Sequence, residues 1–179
     1  TTGGFLDDTY NEGTYWTYAR RWPGWDRGMW RMSSYGQLLV FNEAAHFGVH
    51  VYTDFTRVRR SFSPGQGGYR VFAREHDASE DRWSERIPVR VRATVLAGNR
   101  LFVAGPPDRV PEDDPLAAFE GRLGAKLWAL SASDGKKLAE LQLDSPPVFD
   151  TLIAADGRLY LCTTDGRVLC IGGGENAEK

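Results

Sequence analysis

Apolar residues in this chain fall in short runs closed off by turn residues, and the clearest series lies towards its end. From Val148 the sequence reads VFDTLIAADGRLYLCTTDGRVLCIGG, where runs rich in Leu, Ile, Val and Tyr are broken by Asp156-Gly157 and Asp165-Gly166. Asp-Gly supplies the positive φ angles of tight hairpin turns, so the pattern predicts three antiparallel strands in a meander. The stretches 127–131 and 136–143, joined by Ser133-Asp134-Gly135, predict two more strands ahead of it. Helical periodicity is almost absent. The one place with room for a helical turn is 115–119, behind Asp114 as a cap.

The pattern recurs upstream. Sliding VFAREHDASEDRWSERI (71–87) onto LWALSASDGKKLAELQL (127–143) by 56 places needs no gap, and superimposes Val71 on Leu127, Phe72 on Trp128, Ala73 on Ala129 and Ile87 on Leu143. Two further residues of slip bring VLAGNRLFVAG (95–105) over IAADGRLYLCT (153–163), and GQLLVFN (36–42) is a fainter third copy of the inner run. Copies of one supersecondary unit predict a repeat architecture, because a single unit cannot bury its apolar faces alone and stacks on its neighbours. The blade-like units read as 1–54, 69–105 and 126–173, with insertions at 53–68 and 106–124 on a binding face and a disordered tail at 174–179.

The stretch 127–173 resembles one complete repeat of the pyrroloquinoline-quinone (PQQ)-type β-propellers, a fold shared by quinoprotein alcohol dehydrogenases and by non-enzymatic exported propellers. The family repeat carries A-x-D-x-x-T-G-K-x-x-W. Here Ala129, Gly135 and Lys136 match, Ser131 and Asp134 stand in for the aspartate and threonine, and Ala139 takes the place of the tryptophan. The upstream copy keeps Ala73 and Trp83 at the first and last positions and has lost the turn glycine; Trp128, Gly157 and Gly166 are the other repeat positions. The resemblance implies an all-β fold of β-propeller blades, each a four-stranded antiparallel meander, roughly three of them within a larger ring. It implies a tryptophan docked between neighbouring blades. It also implies a periplasmic or cell-surface protein, with the remaining blades of the same protein or a partner chain completing the ring. Residue 1 falls in mid-pattern, which predicts the C-terminal piece of a longer polypeptide.

Composition narrows the partners. The chain has 179 residues, 41% hydrophobic and 26% charged, as expected of one ordinary folded domain. A formal net charge of -2 gives no field to hold phosphate backbones, and the run Arg57, Arg59, Arg60 is too short to alter that, so no nucleic-acid partner is expected. No stretch reaches the ~20 apolar residues of a membrane helix. Residues 1–15 also lack the basic start and apolar run of an export signal. Cys162 and Cys170 flank TTDGR. A two-residue turn would put them on opposite faces of a hairpin, and a three-residue loop ending in a left-handed Gly166 would put them diagonally on one face. Both geometries argue against a disulfide, and both cysteines are expected to be small buried residues.

The stretch YWTYARRWPGWDRGMW sets Trp16, Trp22, Trp25 and Trp30 beside Arg20, Arg21 and Arg27. Such a cluster either stacks a sugar or quinone ring with guanidinium groups on its anionic substituents, or packs an insertion onto the sheets. Trp16, Arg20, Trp22 and Trp25 are the ligand-binding candidates. Asp7, Asp8 and Asn11 carry calcium-type oxygen ligands, but their spacing fits no compact calcium loop. His46 and His50 would sit ~13 Å apart along a strand, too far for one zinc ion, and His76 falls in a polar turn. Neither a G-x-S-x-G elbow nor a phosphate loop is present, and no catalytic residue emerges. The adjacent cysteine pair and the C-x-x-C-H that mark the family's quinone enzymes are also missing from this chain.

These readings predict a non-catalytic binding or scaffold module without a cofactor, with the aromatic loop and the insertions as its recognition surface. One alternative is the C-terminal part of a PQQ-dependent dehydrogenase, with PQQ and calcium held on other blades. A second is a carbohydrate-binding propeller built on the tryptophan cluster.

Overall fold

The computed structural model describes residues 16–18, 34–50, 65 and 68–172, and these are all-β, with no helix among them. A short hairpin of β1 (Trp16–Tyr18) and β2 (Ser34–Gly36) leads into three antiparallel sheets. The first is a meander of β3 (Leu38–Phe41), β4 (Ala45–His50), β5 (Tyr69–Glu75) and β6 (Trp83–Ile87). The second is a meander of β7 (Ala93–Ala97), β8 (Arg100–Gly105), β9 (Ala125–Ser131) and β10 (Lys137–Leu143). The third has β11 (Ile153–Ala155), β12 (Arg158–Cys162) and β13 (Val168–Gly172).

The three sheets lie face to face in chain order, and the side-chain period of two decides who meets whom. On β8, Leu101 and Val103 point to the first sheet and pack with Phe47, Val49, Val71, Trp83, Trp128 and Leu130. Their neighbours Phe102 and Ala104 point the other way, into a second core with Leu127, Leu143, Leu159 and Leu161 of the second and third sheets. The middle sheet is therefore buried on both faces. That is why LFVA reads as an unbroken apolar run with no polar alternation. The first strands keep together as well: β7 lies against β3 on one side and β11 on the other. The links between sheets are tied down in matching ways, Val89 bridging to Pro107 and Pro147 to Thr163.

The Asp-Gly turns form as the pattern predicts. Asp156 and Gly157 both have positive φ in a two-residue turn that pairs Ala155 with Arg158. At the next hairpin Cys162 pairs with Val168 and Tyr160 with Cys170, so the loop is the three-residue kind with Gly166 left-handed. The cysteines are accordingly diagonal on one face, and both are free. Neither cysteine is buried as expected: Cys162 is half-buried and Cys170 exposed, because their face of the last sheet has no neighbour among the described residues.

Strand pairing divides the chain differently from the sequence units 69–105 and 126–173. Hydrogen bonds group β5 and β6 with the strands before them, giving units of 38–87 and 93–143. At the 56-residue offset the cross-strand pairs correspond, Ala73 with Trp83 and Ala129 with Ala139. GQLLVFN does not match the inner run as expected: residues 38–41 form the first strand of their sheet, the position of β7, not β8. The segment at 115–119 forms hydrogen-bonded turns without a helix, closed by Arg122 donating to Asp114 at 2.9 Å and 2.6 Å. Asp7, Asp8, Asn11, Arg20, Trp22 and Trp25, the insertion at 53–68 apart from Gly65 and Gly68, and the tail at 174–179 lie outside the described residues.

Candidate functional site

Two sets of residues stand out, one joining sheets and one on the outer face of the first sheet. The joint is built on Trp83. It opens β6 opposite Ala73, and its indole N–H donates to the carbonyl oxygen of Ala132 in the second sheet at 2.9 Å. The ring covers Gly135, which has φ +75; a Cβ there would lie 2.6 Å from Trp83 Cε3, so this turn needs glycine twice over. Ala139 pairs with Ala129 as Trp83 pairs with Ala73, and so occupies the same slot one sheet later without the ring. Lys136 is an exposed turn residue bound to Asp134 at 2.9 Å, and the Trp128 ring carries the Lys137 ammonium 4.3 Å from its centroid.

The second set lies on the side of the first sheet turned away from the second. Register places His46 opposite Arg74, Gly48 opposite Phe72 and His50 opposite Arg70. Phe72 lies flat over Gly48, where a Cβ would be 2.4 Å from the ring. Around this floor stand the Arg70 and Arg74 guanidinium groups, 5.2 and 5.8 Å from its centroid, and the His50 ring at 4.7 Å. Asp81 holds both arginines: Arg74 Nε donates to it at 2.9 Å, and Arg70 donates through its terminal nitrogen. Arg70 also donates to Ser84 Oγ at 2.7 Å and to His50 Nδ1 at 2.8 Å, which fixes that His50 nitrogen as an acceptor.

At one corner of this face two imidazoles meet. His46 Nδ1 and His76 Nδ1 are 3.4 Å apart with nearly parallel rings, and the Tyr18 ring lies 4.8 Å from one and 5.0 Å from the other. His76 is clamped from behind, its Nε2 donating to the carbonyl oxygen of Asn42 at 2.8 Å and its backbone N–H to that of Ala44. Burial first, then the neighbouring His76 and Arg74, lower the His46 pKa from 6.5 to about 4, against a pull from Asp81. His46 is therefore neutral at ordinary pH.

Spacing along the chain found none of this second set. His46 and His50 are indeed too far apart to act together, but the pairing of β4 with β5 carries the chain round to bring His76 back to His46. The signal that could have found it is the β4–β5 register, which places position 76 just beyond the partner of Ala45. Of the tryptophan-cluster candidates, only the backbone of Trp16 is described, paired with Gly36.

A cleft of about 300 Å³ also opens between the β7–β8 and β11–β12 turns, lined by Ala97, Arg100, Phe102, Ala154, Asp156 and Leu159 among others. It is a groove between neighbouring hairpins, with Arg100, Asp156 and Arg158 among its lining residues. No protein-family model matches the chain, and no curated protein matches it. Among solved structures it is similar to the computationally designed Ika4 protein, at 15% identity and a TM-score of 0.46. The similarity covers 75% of this chain, which spans 64% of the length of that one.

Proposed function

We propose that this chain is a non-catalytic framework and binding module of a β-propeller, its sheets serving as blades and the outer face of its last sheet receiving a further blade. The observation that carries the reading is the composition of that face. Ile153, Tyr160 and Cys170 form one row across the three strands, and Cys162 with Val168 forms the next. Ile153 is 59% and Val168 70% exposed. A soluble surface does not ordinarily set such a group of apolar side chains in adjoining rows unless something covers it. The two faces of the middle sheet show what covering looks like here: another antiparallel sheet with a matching apolar side.

The occupant is a sheet of that kind. The stacking of the sheets, the first strands kept together and the Trp83 joint also support the blade reading. The larger ring and the exported location rest on the resemblance of 127–173 alone. Replacing Val168 with Lys tests the docking face. The variant should fold as a separate chain with unchanged stability, yet fail to assemble with the rest of the native protein; normal assembly would refute the reading.

A further inference from the structure

We propose that the cleft between the β7–β8 and β11–β12 turns binds a small α-amino acid with an apolar side chain, its carboxylate held by Arg100 and its ammonium group by Asp156. The cleft lies between two sheets of this chain, so the site does not depend on the framework reading and would stand if that reading failed.

Shape is the first argument. Side chains alternate along β7, so Ala93, Val95 and Ala97 face the third sheet, and Ala154 on β11 faces back towards them. Deeper in this joint Val95 and Leu152 fill the space between the sheets. At its end the two alanines do not, and about 300 Å³ stays open beside Phe102 and Leu159. That is the small end of the roughly 300–1,000 Å³ of ligand pockets, and it suits a molecule of amino-acid size. A wall made of a phenyl ring and a leucine favours an apolar body.

The second argument is charge. Arg100 opens β8 two residues before Phe102 and so shares its face, towards the third sheet. Asp156 stands across the cleft, in the turn that follows β11. In two other turns an acid closes on the base two residues later, Asp134 on Lys136 and Asp165 on Arg167, each at 2.9 Å. Asp156 makes no such bridge to Arg158, whose side chain alternates to the other face of the sheet, where a Cβ on Gly172 would lie 3.8 Å from its Cγ. Among the described residues neither Arg100 nor Asp156 has a side-chain hydrogen bond or ion pair. A ligand with only a carboxylate would bring like charge to Asp156, and one with only an amine would bring it to Arg100; a zwitterion satisfies both. The groove is open to solvent along its mouth, so affinity of about millimolar strength is expected.

The test is titration of the ¹⁵N-labelled full chain with L-phenylalanine at neutral pH, read from the amide shifts of Gly98 and Gly157 in the two flanking turns. Both should shift and saturate together. Arg100→Gln, Asp156→Asn and Ala154→Leu, which fills the cleft, should each weaken binding at least about fivefold. Arg158→Gln removes the same charge as Arg100→Gln from the opposite face and should leave it unchanged. No saturable shift, equal affinity in any of the first three variants when folded, or an equal loss in Arg158→Gln would overturn the proposal. Two analogues test it on the native protein without any variant. 3-Phenylpropanoate, lacking the ammonium group, and 2-phenylethylamine, lacking the carboxylate, should both bind at least about fivefold more weakly than phenylalanine, and equal binding by either would overturn the site.

Discussion

The indole N–H of Trp83, on the last strand of the first sheet, bonds to the carbonyl oxygen of Ala132 in the second at 2.9 Å, and the same ring roofs the turn at Gly135. One side chain thus fastens two sheets that share no backbone ladder. Truncating it removes a large buried ring and leaves a carbonyl without its partner. Trp83→Ala should cost about 3–5 kcal/mol, and Trp83→Phe, which keeps most of the ring and loses the donor, about 1–2 kcal/mol. Urea unfolding of the two variants checks both values. A Trp83→Ala chain as stable as the native one would mean that the sheets do not depend on this joint.

The glycines of the turns separate two kinds of cost. Gly157 has φ +71 with open space where a Cβ would lie, so Gly157→Ala pays for backbone conformation alone, about 1–2 kcal/mol. Gly135→Ala pays the same and also drives a methyl group into Trp83. Its melting temperature should fall further than that of Gly157→Ala, and the extra loss should largely disappear when both are made on a Trp83→Ala background. Equal losses would contradict the packing of the indole on this turn.

His46 makes stability depend on pH. Its folded-state pKa, about 4, lies below the 6.5 of the unfolded chain. The unfolded state therefore takes up the proton first. Stability should fall as the pH drops from about 6.5 towards 4 and this contribution should level off below that. Unfolding free energies measured across this range for the native protein and for His46→Gln would show it, the variant losing less on acidification. Parallel curves would mean that His46 does not titrate as its surroundings imply.

Much of the fold was legible in the sequence because short strands and Asp-Gly turns are local signals. The offset joining Ala73 with Ala129 and Trp83 with Ala139 reappears as matching cross-strand pairs. What stayed hidden depends on long-range register. The phase of the sheets turns on which strand β7 hydrogen-bonds, a choice that period-two patterning does not encode. The His46–His76 contact depends on the β4–β5 ladder closing over the chain between them. Cys170 looked like a core residue because its strand is apolar on both sides, and only the stacking order shows which side faces another sheet.

That open side is the most direct test of the account. Cys170 lies on the proposed docking face, exposed, next to half-buried Tyr160 and Cys162. Its thiol should react rapidly with a maleimide in the separate chain, and much more slowly in the native assembly, where a further sheet would cover it. Modification at the same rate in both states would contradict the proposal that this face receives another blade.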